Sequence, residues 1–397
     1  MRKRKRILTL LALLTAAGAW AQATATTSAT RTGSDNTYTV KMKEGTKDAA
    51  KWTIASDGNS TTGDKTDGLT VAPTKEVTLT YSGRLKVKSV TATHDGPWDG
   101  NLSNIPASLI GSDGHTVIVP DGTTLTGMFN GETQPYKITI ADGATVTLAD
   151  VIFKPVKNEN TKWAGINCAG DATIIVKDGT YNELFGMYDG YPAIYIPGDA
   201  NNTSNNKTLT ITGGTAGTGQ LLASGYNNAA SIGGGKDIDC GNIIIEGGKI
   251  NADSTPNGGA AIGAGRAASC GNITITGGEI RATGNNYTAG IGSGYDHSTC
   301  GKIIISGGTV KAIGGDYAPA IGSGCDGSRS GDILITTGVT NVTASKSIDD
   351  TVYCIGPGKN SYCGTVRIGC TLDNNGNPVG GSNGYKTDNY FSYQPSH

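Results

Sequence analysis

The sequence predicts an all-β protein dominated by a right-handed parallel β-helix, and three observations support this prediction. The phrase Ile-Gly-x-Gly begins at residues 232, 262, 291, 321 and 355, so its intervals are 30, 29, 30 and 34 residues. A second phrase, such as CGNITITGGEI at residues 270–280, lies between successive copies of the first. Glycine contributes 61 of the 397 residues, which is about twice its usual share. A period of this length indicates one structural unit stacked on copies of itself.

One repeat, residues 270–294, predicts three short strands separated by tight corners. The strands are NITIT, EIRAT and AGIGS, and Gly277-Gly278 forms the first corner because glycine tolerates positive φ. Side chains alternate along a strand, so one apolar set faces inward: Ile273, Ile275, Ile280 and Ala282. Coils of this kind stack at about 4.8 Å, and none buries its apolar face alone. We expect roughly seven such coils.

The N-terminal part of the chain predicts export followed by a small β domain. Residues 1–21 join the basic start MRKRKR to a short apolar run and Ala19-Trp20-Ala21, which is typical of a signal peptide cleaved near Ala21. The apolar run is shorter than the ~20 residues of a membrane span. Residues 22–36 are small and polar and predict a flexible leader. Residues 37–100 contain alternating runs such as EVTLTYS and predict a small antiparallel sandwich.

The other segment boundaries are predicted from the residues at which the repeat begins and ends. Residues 101–135 are predicted to be a connector and N-terminal cap. The repeat is recognisable from residue 136, first in worn copies such as YKITIADGATVTL, and the predicted β-helix spans residues 136–370. Residues 371–397 are rich in Gly, Ser and Asn and predict a polar C-terminal end. The whole pattern predicts a secreted, periplasmic or cell-surface protein without a membrane span.

The composition argues against one class of partner. The chain carries 32 Lys and Arg against 33 Asp and Glu, a formal net charge of −1. A protein that holds nucleic acid through its phosphates needs a basic surface. We therefore expect no nucleic-acid partner.

At this point the residues resemble a known group of proteins. The runs GLTVAPTKEVTLTYSGRLKVKSVTAT and ITIADGATVTLADV and the reiterated AAIGAG and GNITITGGEIRA are similar to secreted or surface proteins of gut-type Gram-negative bacteria. Those proteins are described as carbohydrate-binding domain-containing proteins with right-handed parallel β-helix repeats. The resemblance covers roughly residues 37–370 and implies contact with a glycan. It assigns no individual binding residue.

Four of the eight cysteines recur at one position of successive copies, where Ser330 replaces the fourth. These are Cys240, Cys270, Cys300 and Cys363. They form no close CxxC pairs, so the spacing does not favour a metal site. Two interpretations stay open: a buried ladder of free thiols, or disulfides in an exported protein.

A Gly-x-Gly-x-Asp string recurs and raises the question of a metal ion. It supplies Asp237, Asp296 and Asp326, while Ala267 breaks the series. Stacked carboxylates could bind Ca²⁺, but Asp is also common in turns without a ligand. We expect no cofactor, with Ca²⁺ at these residues as the alternative. The four histidines and the adjacent pair Asp349-Asp350 suggest no catalytic arrangement, so we expect no enzyme.

Aromatic residues at the corner before the third strand form the predicted ligand site. Tyr287 and Tyr317 each stand four residues before the Ile of their Ile-Gly-x-Gly phrase, so we expect them to stack on adjacent coils. Apolar ring faces beside amides and carboxylates suit a sugar. A ladder that merely packs the corners together is the alternative. The predicted ligand-binding residues are Tyr226, Asn285, Asn286, Tyr287, Asp316 and Tyr317.

The middle of the first strand should point outward, yet it is mostly apolar. The row consists of Ile244, Thr274, Ile304 and Leu334. An outward apolar row indicates a covered face, and the cover is the N-terminal domain, the C-terminal segment or another protein.

Three functional hypotheses follow in order of preference. The first is a non-catalytic glycan-binding or adhesive protein at the cell surface. The second is a structural or protein-interaction scaffold without a sugar ligand. The third is a polysaccharide-degrading enzyme.

Overall fold

A computed structural model describes residues 98, 100–105, 109–130, 136–154, 160–255, 258–346 and 351–395, together with eight strands before residue 93. The chain divides into two compact units, Met1–Asp99 and Gly100–His397. The predicted cleavage position after Ala21 and the pair Asp349-Asp350 lie outside the described residues. Within the described ranges, a helix with the length and apolar character of a membrane span is not found.

The strands of the first unit pair antiparallel, as the alternating runs predict. They are β1 (Leu8–Leu10), β2 (Gln22–Ser28), β3 (Tyr38–Val40), β4 (Trp52–Ser56), β5 (Asn59–Thr61), β6 (Leu69–Val71), β7 (Glu76–Ser82) and β8 (Val90–Ala92). One sheet has the order β2-β7-β4-β5, and β3–β6 and β1–β8 form two-stranded sheets. The pairing of β2 corrects the prediction of a flexible leader at this point, because β2 extends the sheet beside β7.

The second unit is a parallel β-solenoid with turns of about 30 residues, which confirms the predicted fold, and nine strands stack in its third sheet where roughly seven coils were expected. What we call the first sheet stacks the first strand of each coil. It comprises β10 (Thr124–Asn130), β12 (Ala144–Lys154), β14 (Ala172–Val176), β17 (Thr208–Gly213), β20 (Asn242–Ile245), β24 (Ile273–Ile275), β28 (Ile303–Ile305), β32 (Ile333–Thr336) and β36 (Val366–Leu372).

A second sheet follows the glycine corner of each coil, and β12 is long enough to pair into it as well. It comprises β15 (Tyr181–Phe185), β18 (Gln220–Ser224), β21 (Lys249–Asp253), β25 (Glu279–Thr283), β29 (Thr309–Ile313) and β33 (Asn341–Ser345). Two 3-10 turns, Leu102–Asn104 and Thr203–Asn205, lie between strands.

A third sheet is built on the Ile-Gly-x-Gly phrase. It comprises β9 (Thr116–Val119), β11 (Lys137–Ile140), β13 (Ile166–Cys168), β16 (Ile194–Tyr195), β19 (Ile232–Gly233), β22 (Ile262–Gly263), β26 (Ile291–Gly292), β30 (Ile321–Gly322) and β34 (Ile355–Gly356). A short corner sheet between the third and first sheets contains β23 (Ser269–Cys270), β27 (Thr299–Cys300), β31 (Arg329–Ser330) and β35 (Tyr362–Cys363).

The core of the solenoid follows the alternation predicted from the sequence. Ile243, Ile273 and Ile303 are register partners on successive coils, and so are Ile280 and Val310. All are buried, with exposed fractions of 0–1%. Identical side chains therefore stack through the interior, and each coil completes the apolar face of its neighbours.

Both ends of the solenoid differ from the prediction. Parallel pairing begins at β9 and β10, so residues 116–130 are a first coil and not a connector. At the other end, β37 (Pro378–Val379), β38 (Ser382–Asn383) and β39 (Tyr390–Tyr393) fold back antiparallel onto β36 and β33. The polar C-terminal end is thus a cap that covers the edge of the last coils, where unpaired strands would otherwise invite aggregation.

The outward row has the predicted register, since Thr274 pairs with Ile244 and Ile304, and Ile304 with Leu334. Leu334 is buried and the other three side chains are half-buried. Arg367 continues the row after Leu334 and donates to the Gly380 carbonyl oxygen at 3.4 Å. The C-terminal segment therefore lies beside the last part of the row, while a protein contact on the row stays a prediction.

Candidate functional site

The corner around the third sheet is organised by hydrogen bonds between coils. The residue four positions after each Ile of the phrase donates its backbone N–H to the residue four positions before the Ile of the preceding coil. Thus Cys325 donates to the Tyr287 carbonyl oxygen (3.0 Å) and Lys359 to that of Tyr317 (3.0 Å). Each such hydrogen bond therefore brings two residues side by side at the corner, one from each of two successive coils.

Two further hydrogen bonds of the same kind show how the side chains fit together at this corner. Tyr295 donates its N–H to the Gly258 carbonyl oxygen (3.0 Å), and Arg266 donates to that of Asn228 (2.8 Å). Tyr295 is thus paired with a glycine, and Tyr287 is paired with the small Cys325. In these two pairs a large side chain lies beside a small residue, which leaves room for the Tyr287 and Tyr295 rings to follow one another along the solenoid axis.

Three rings form a continuous stack that we call the tyrosine ladder: Tyr287, Tyr295 and Tyr317. The Tyr287 and Tyr317 ring centroids are 5.4 Å apart with an interplanar angle of 12°. The Tyr287 and Tyr295 centroids are 5.0 Å apart with an angle of 31°. The predicted stacking of Tyr287 on Tyr317 is confirmed. Such pairs contribute about 0.5–1.5 kcal/mol each beyond area burial.

Both ends of the tyrosine ladder are covered by cations. The Arg266 guanidinium carbon lies 5.2 Å from the Tyr295 centroid, and Lys359 Nζ lies 4.9 Å from the Tyr317 centroid. These distances fit cation–π contacts. The ring faces are therefore largely taken up by neighbouring rings and cations. The hydroxyls of the three half-buried tyrosines, in contrast, have no protein hydrogen-bond partner among the described residues.

The predicted polar neighbours lie at the same corner. The Asn286 carbonyl oxygen accepts from the Tyr317 N–H at 2.8 Å. Asn285 closes the preceding turn, because its N–H donates to Thr288 Oγ1 at 3.0 Å. Asp316 is exposed directly before Tyr317. Within the described part of the chain, the side chains of Asn285, Asn286 and Asp316 make no hydrogen bond to protein, so they are available to a ligand.

The structure does not bring Tyr226 to the ladder. In its coil, Asn228 occupies the position four residues before Ile232, and Asn228 Oδ1 accepts from Arg266 Nη1 at 3.5 Å. Tyr226 lies two residues before Asn228 and is half-buried, and its N–H donates to the Tyr191 carbonyl oxygen at 2.9 Å. The sequence suggested a similar corner, but Tyr226 stands six residues before Ile232, two residues from the ladder position.

Sequence analysis missed Arg266, Tyr295 and Lys359. All three share one offset, four residues after the Ile of the phrase, as do Lys236 and Cys325. This recurrence is a signal that could have identified the second column of the site.

Similarity to known proteins adds no assignment to this corner. No protein-family model, curated protein or solved structure matches the chain. The residues of the ladder and their neighbours are therefore the basis for assigning a function.

The predicted candidate metal ligands serve in turns. Asp237, Asp296 and Asp326 have φ of 56°, 66° and 55°, and Ala267 and Asn360 at the equivalent positions have 51° and 54°. Asp and Asn tolerate this left-handed conformation better than most residues. Among the described residues, no group of three His, Cys, Asp or Glu side chains is placed to hold a metal ion. The recurrence of Asp is thus explained by the turn.

Asp296 also holds Arg266, the cation at the Tyr295 end of the ladder. Its Oδ2 accepts from Arg266 Nη2 at 3.1 Å, and its Oδ1 lies 3.2 Å from His297 Nδ1. The His297 hydrogen bond and the Arg266 guanidinium hold the pKa of Asp296 below its ordinary value. The carboxylate therefore stays charged near neutral pH and orients Arg266 toward Tyr295.

Other carboxylates with shifted pKa values are also turn residues. Hydrogen bonds from Thr116 and His115 lower the pKa of Asp113 to about 2, and backbone N–H groups lower the pKa of Asp178 and Asp373. A general acid in a glycosidase needs a carboxyl whose pKa is raised. These groups are therefore suited to structural roles.

The cysteine ladder has the predicted register. Cys270 pairs with Cys240 and Cys300, and Ser330 lies between Cys300 and Cys363. All eight cysteines are free thiols, and seven are buried while Cys363 is half-buried. The thiols of Cys240 and Cys270 donate weakly to backbone carbonyl oxygens at 3.5 and 3.6 Å. The structure therefore agrees with the buried-thiol interpretation.

We expect native protein to react at no more than one cysteine with a thiol-labelling reagent at pH 8, and denatured protein to react at all eight. Burial raises the pKa of Cys168 to about 12 and that of Cys363 to about 11, so little thiolate is present. Mass spectrometry counts the labels. Fewer than eight labels after denaturation without reductant would favour the disulfide interpretation.

Proposed function

We propose that this chain is a non-catalytic glycan-binding or adhesive protein, secreted or held at the cell surface, whose ligand contacts the tyrosine ladder. One observation carries the proposal. Three half-buried tyrosines, whose hydroxyls have no protein hydrogen-bond partner among the described residues, share this corner with the available side chains of Asn285, Asn286 and Asp316. Hydroxyl, amide and carboxylate groups at one corner with aromatic side chains supply the hydrogen-bond donors and acceptors that sugar hydroxyls require.

The ladder suggests a binding mode that differs from the one expected from sequence. Ring faces that stack on each other and on cations leave little face for a sugar ring. The ligand instead contacts ring edges and hydroxyls, and the stack holds those edges rigid. Rigid aromatic side chains lose little conformational entropy on binding. Because the ring faces are occupied, the ladder favours recognition of a sugar by hydrogen bonds over stacking of a sugar on a ring.

A protein-interaction scaffold is the second candidate. The half-buried side chains of Ile244 and Ile304 on the outward row favour it, because such apolar rows are typical of contact surfaces. The two candidates use different faces, so substitutions can separate them.

The double substitution Tyr287→Ala and Tyr317→Ala is expected to abolish weak glycan binding while leaving the fold intact. Each lost tyrosine removes a hydroxyl hydrogen bond and a ring edge, which should cost about 1 kcal/mol or more of binding free energy. Glycan-array binding identifies a ligand for the parent protein, and calorimetric titration compares the two proteins. Circular dichroism checks folding.

Tyr390→Ala is the matched control, since Tyr390 is 63% exposed on the C-terminal cap. It should bind as the parent does. Equal glycan affinity of the double variant and the parent would remove the ladder as the site. A parent that binds no glycan on the array would favour the scaffold.

A further inference from the structure

Aromatic side chains occur at the corner before the third sheet along most of the solenoid. In seven coils they stand one to four residues before the third-sheet strand: His115, Tyr136, Trp163, Tyr191, Tyr287, Tyr317 and Tyr353; the two coils of β19 and β22, between Tyr191 and Tyr287, have none at these positions. Aromatic side chains therefore lie at this corner on both sides of those two coils, and the tyrosine ladder belongs to the C-terminal group.

The N-terminal part of this face repeats the chemistry of the ladder. The His115 and Trp163 ring centroids are 6.0 Å apart, and Lys162 Nζ lies 5.3 Å from the Tyr188 centroid. His115 and Lys162 are exposed, and Trp163 and Tyr188 are half-buried. We call these four residues the N-terminal patch. It combines tilted rings with a cation over a ring, as the ladder does.

Backbone hydrogen bonds between coils join the two regions. Met187 donates to the Trp163 carbonyl oxygen at 3.3 Å, and Lys236 donates to that of Gly190 at 2.8 Å. A Cβ at Gly190 would lie 3.1 Å from Lys236 Cβ, so these two segments are in direct contact. Lys236 and Arg266 each stand four residues after the Ile of their phrase, so they occupy the same position of two successive coils. The patch and the ladder thus lie on one continuous face.

We propose that the N-terminal patch and the tyrosine ladder form a single binding face for a polymeric glycan whose chain runs parallel to the solenoid axis. This inference rests on the proposed function and extends it to a ligand class. Seven strand spacings separate β9 from β30 in the third sheet, or roughly 34 Å at about 4.8 Å per spacing. A ligand that contacts both regions is several sugar residues long, so a disaccharide reaches only one of them.

The test uses the full-length protein and three soluble polysaccharides: dextran, mixed-linkage β-glucan and polygalacturonate. Each is titrated calorimetrically as the intact polymer and as its disaccharide. We expect one polymer to bind more tightly than its disaccharide by about tenfold or more, as for linked contacts. Trp163→Ala and Tyr188→Ala should each weaken polymer binding by about fivefold or more and leave disaccharide binding at the ladder unchanged.

The ladder variants provide the complementary result. Tyr287→Ala with Tyr317→Ala should weaken both polymer and disaccharide, while Tyr390→Ala should change neither. Tyr188→Ala is the second patch variant in case Trp163→Ala does not fold, which circular dichroism reports. Equal binding of polymer and disaccharide, with no effect of the patch variants, would overturn this inference and leave the proposed function standing. No binding of any probe to the parent would count against both.

Discussion

Replacing Gly292 with alanine is expected to lower the free energy of unfolding of the solenoid by about 4 kcal/mol or more. Gly292 has φ of 137°, a conformation that side-chain-bearing residues rarely adopt. An added Cβ would lie 1.8 Å from the carbonyl oxygen of Gly322 on the next coil. That atom is backbone in a packed stack and cannot move without separating two coils.

Gly217→Ala is the matched control. Gly217 has φ of 62°, and an added Cβ there meets nothing within 4 Å. It carries only the conformational cost of alanine in the left-handed region, about 1–2 kcal/mol. Urea unfolding followed by circular dichroism compares the two variants with the parent. Equal midpoints for the two variants would mean that the close approach of Gly292 to Gly322 is absent.

For these glycines, the sequence predicted the position in the fold but not the contact that requires glycine. The phrase Ile-Gly-x-Gly was sufficient to place the third strand, because it recurs at nearly constant spacing. It did not reveal why glycine is needed, since the clash is with a residue about 30 positions away. Gly263 and Gly322 have the same environment, with an added Cβ 1.9 Å from the next carbonyl oxygen in each case. The repetition is thus a consequence of stacking.

The ends of the solenoid were harder to predict than its middle. Residues 116–130 pair as a coil, but they lack the glycine phrase that marks the later copies. The C-terminal cap has no periodic signal either, because its strands are short and pair antiparallel. End coils meet only one neighbour, so the constraint that produces a repeating sequence acts on them from one side.

The candidate site was predicted in part. Tyr287 and Tyr317 share an offset from the phrase, and equal offsets place side chains above one another in a solenoid. Tyr295 was missed because it stands four residues after the Ile of its phrase, whereas Tyr287 and Tyr317 stand four residues before theirs. The ladder alternates between these two offsets, so the offset of Tyr287 and Tyr317 alone does not lead to Tyr295. Tyr226 was included because it is aromatic and near the corner, yet it lies two residues from the ladder position.

Ile275→Asp is expected to destabilise the solenoid by about 5 kcal/mol at neutral pH, because it buries a carboxylate without a partner. Ile275 is fully buried between its register partners Ile245 and Ile305. A charge there disturbs the apolar face of both neighbouring coils as well as its own. Thr274→Asp is the matched control on the same strand, since Thr274 points outward and is half-buried. It should cost about 1 kcal/mol or less.

The pH dependence of Ile275→Asp identifies the cause of the loss. Burial raises the pKa of the new carboxyl in the folded state, while in the unfolded state the pKa stays near 3.9. The unfolded state then releases its proton first as the pH rises, so the deficit relative to the parent grows above about pH 4 and is smallest below it. Urea midpoints at pH 4 and pH 7 measure this difference. An unchanged midpoint at pH 7 would place Ile275 in solvent, and the inward face of the first sheet would then be wrongly assigned.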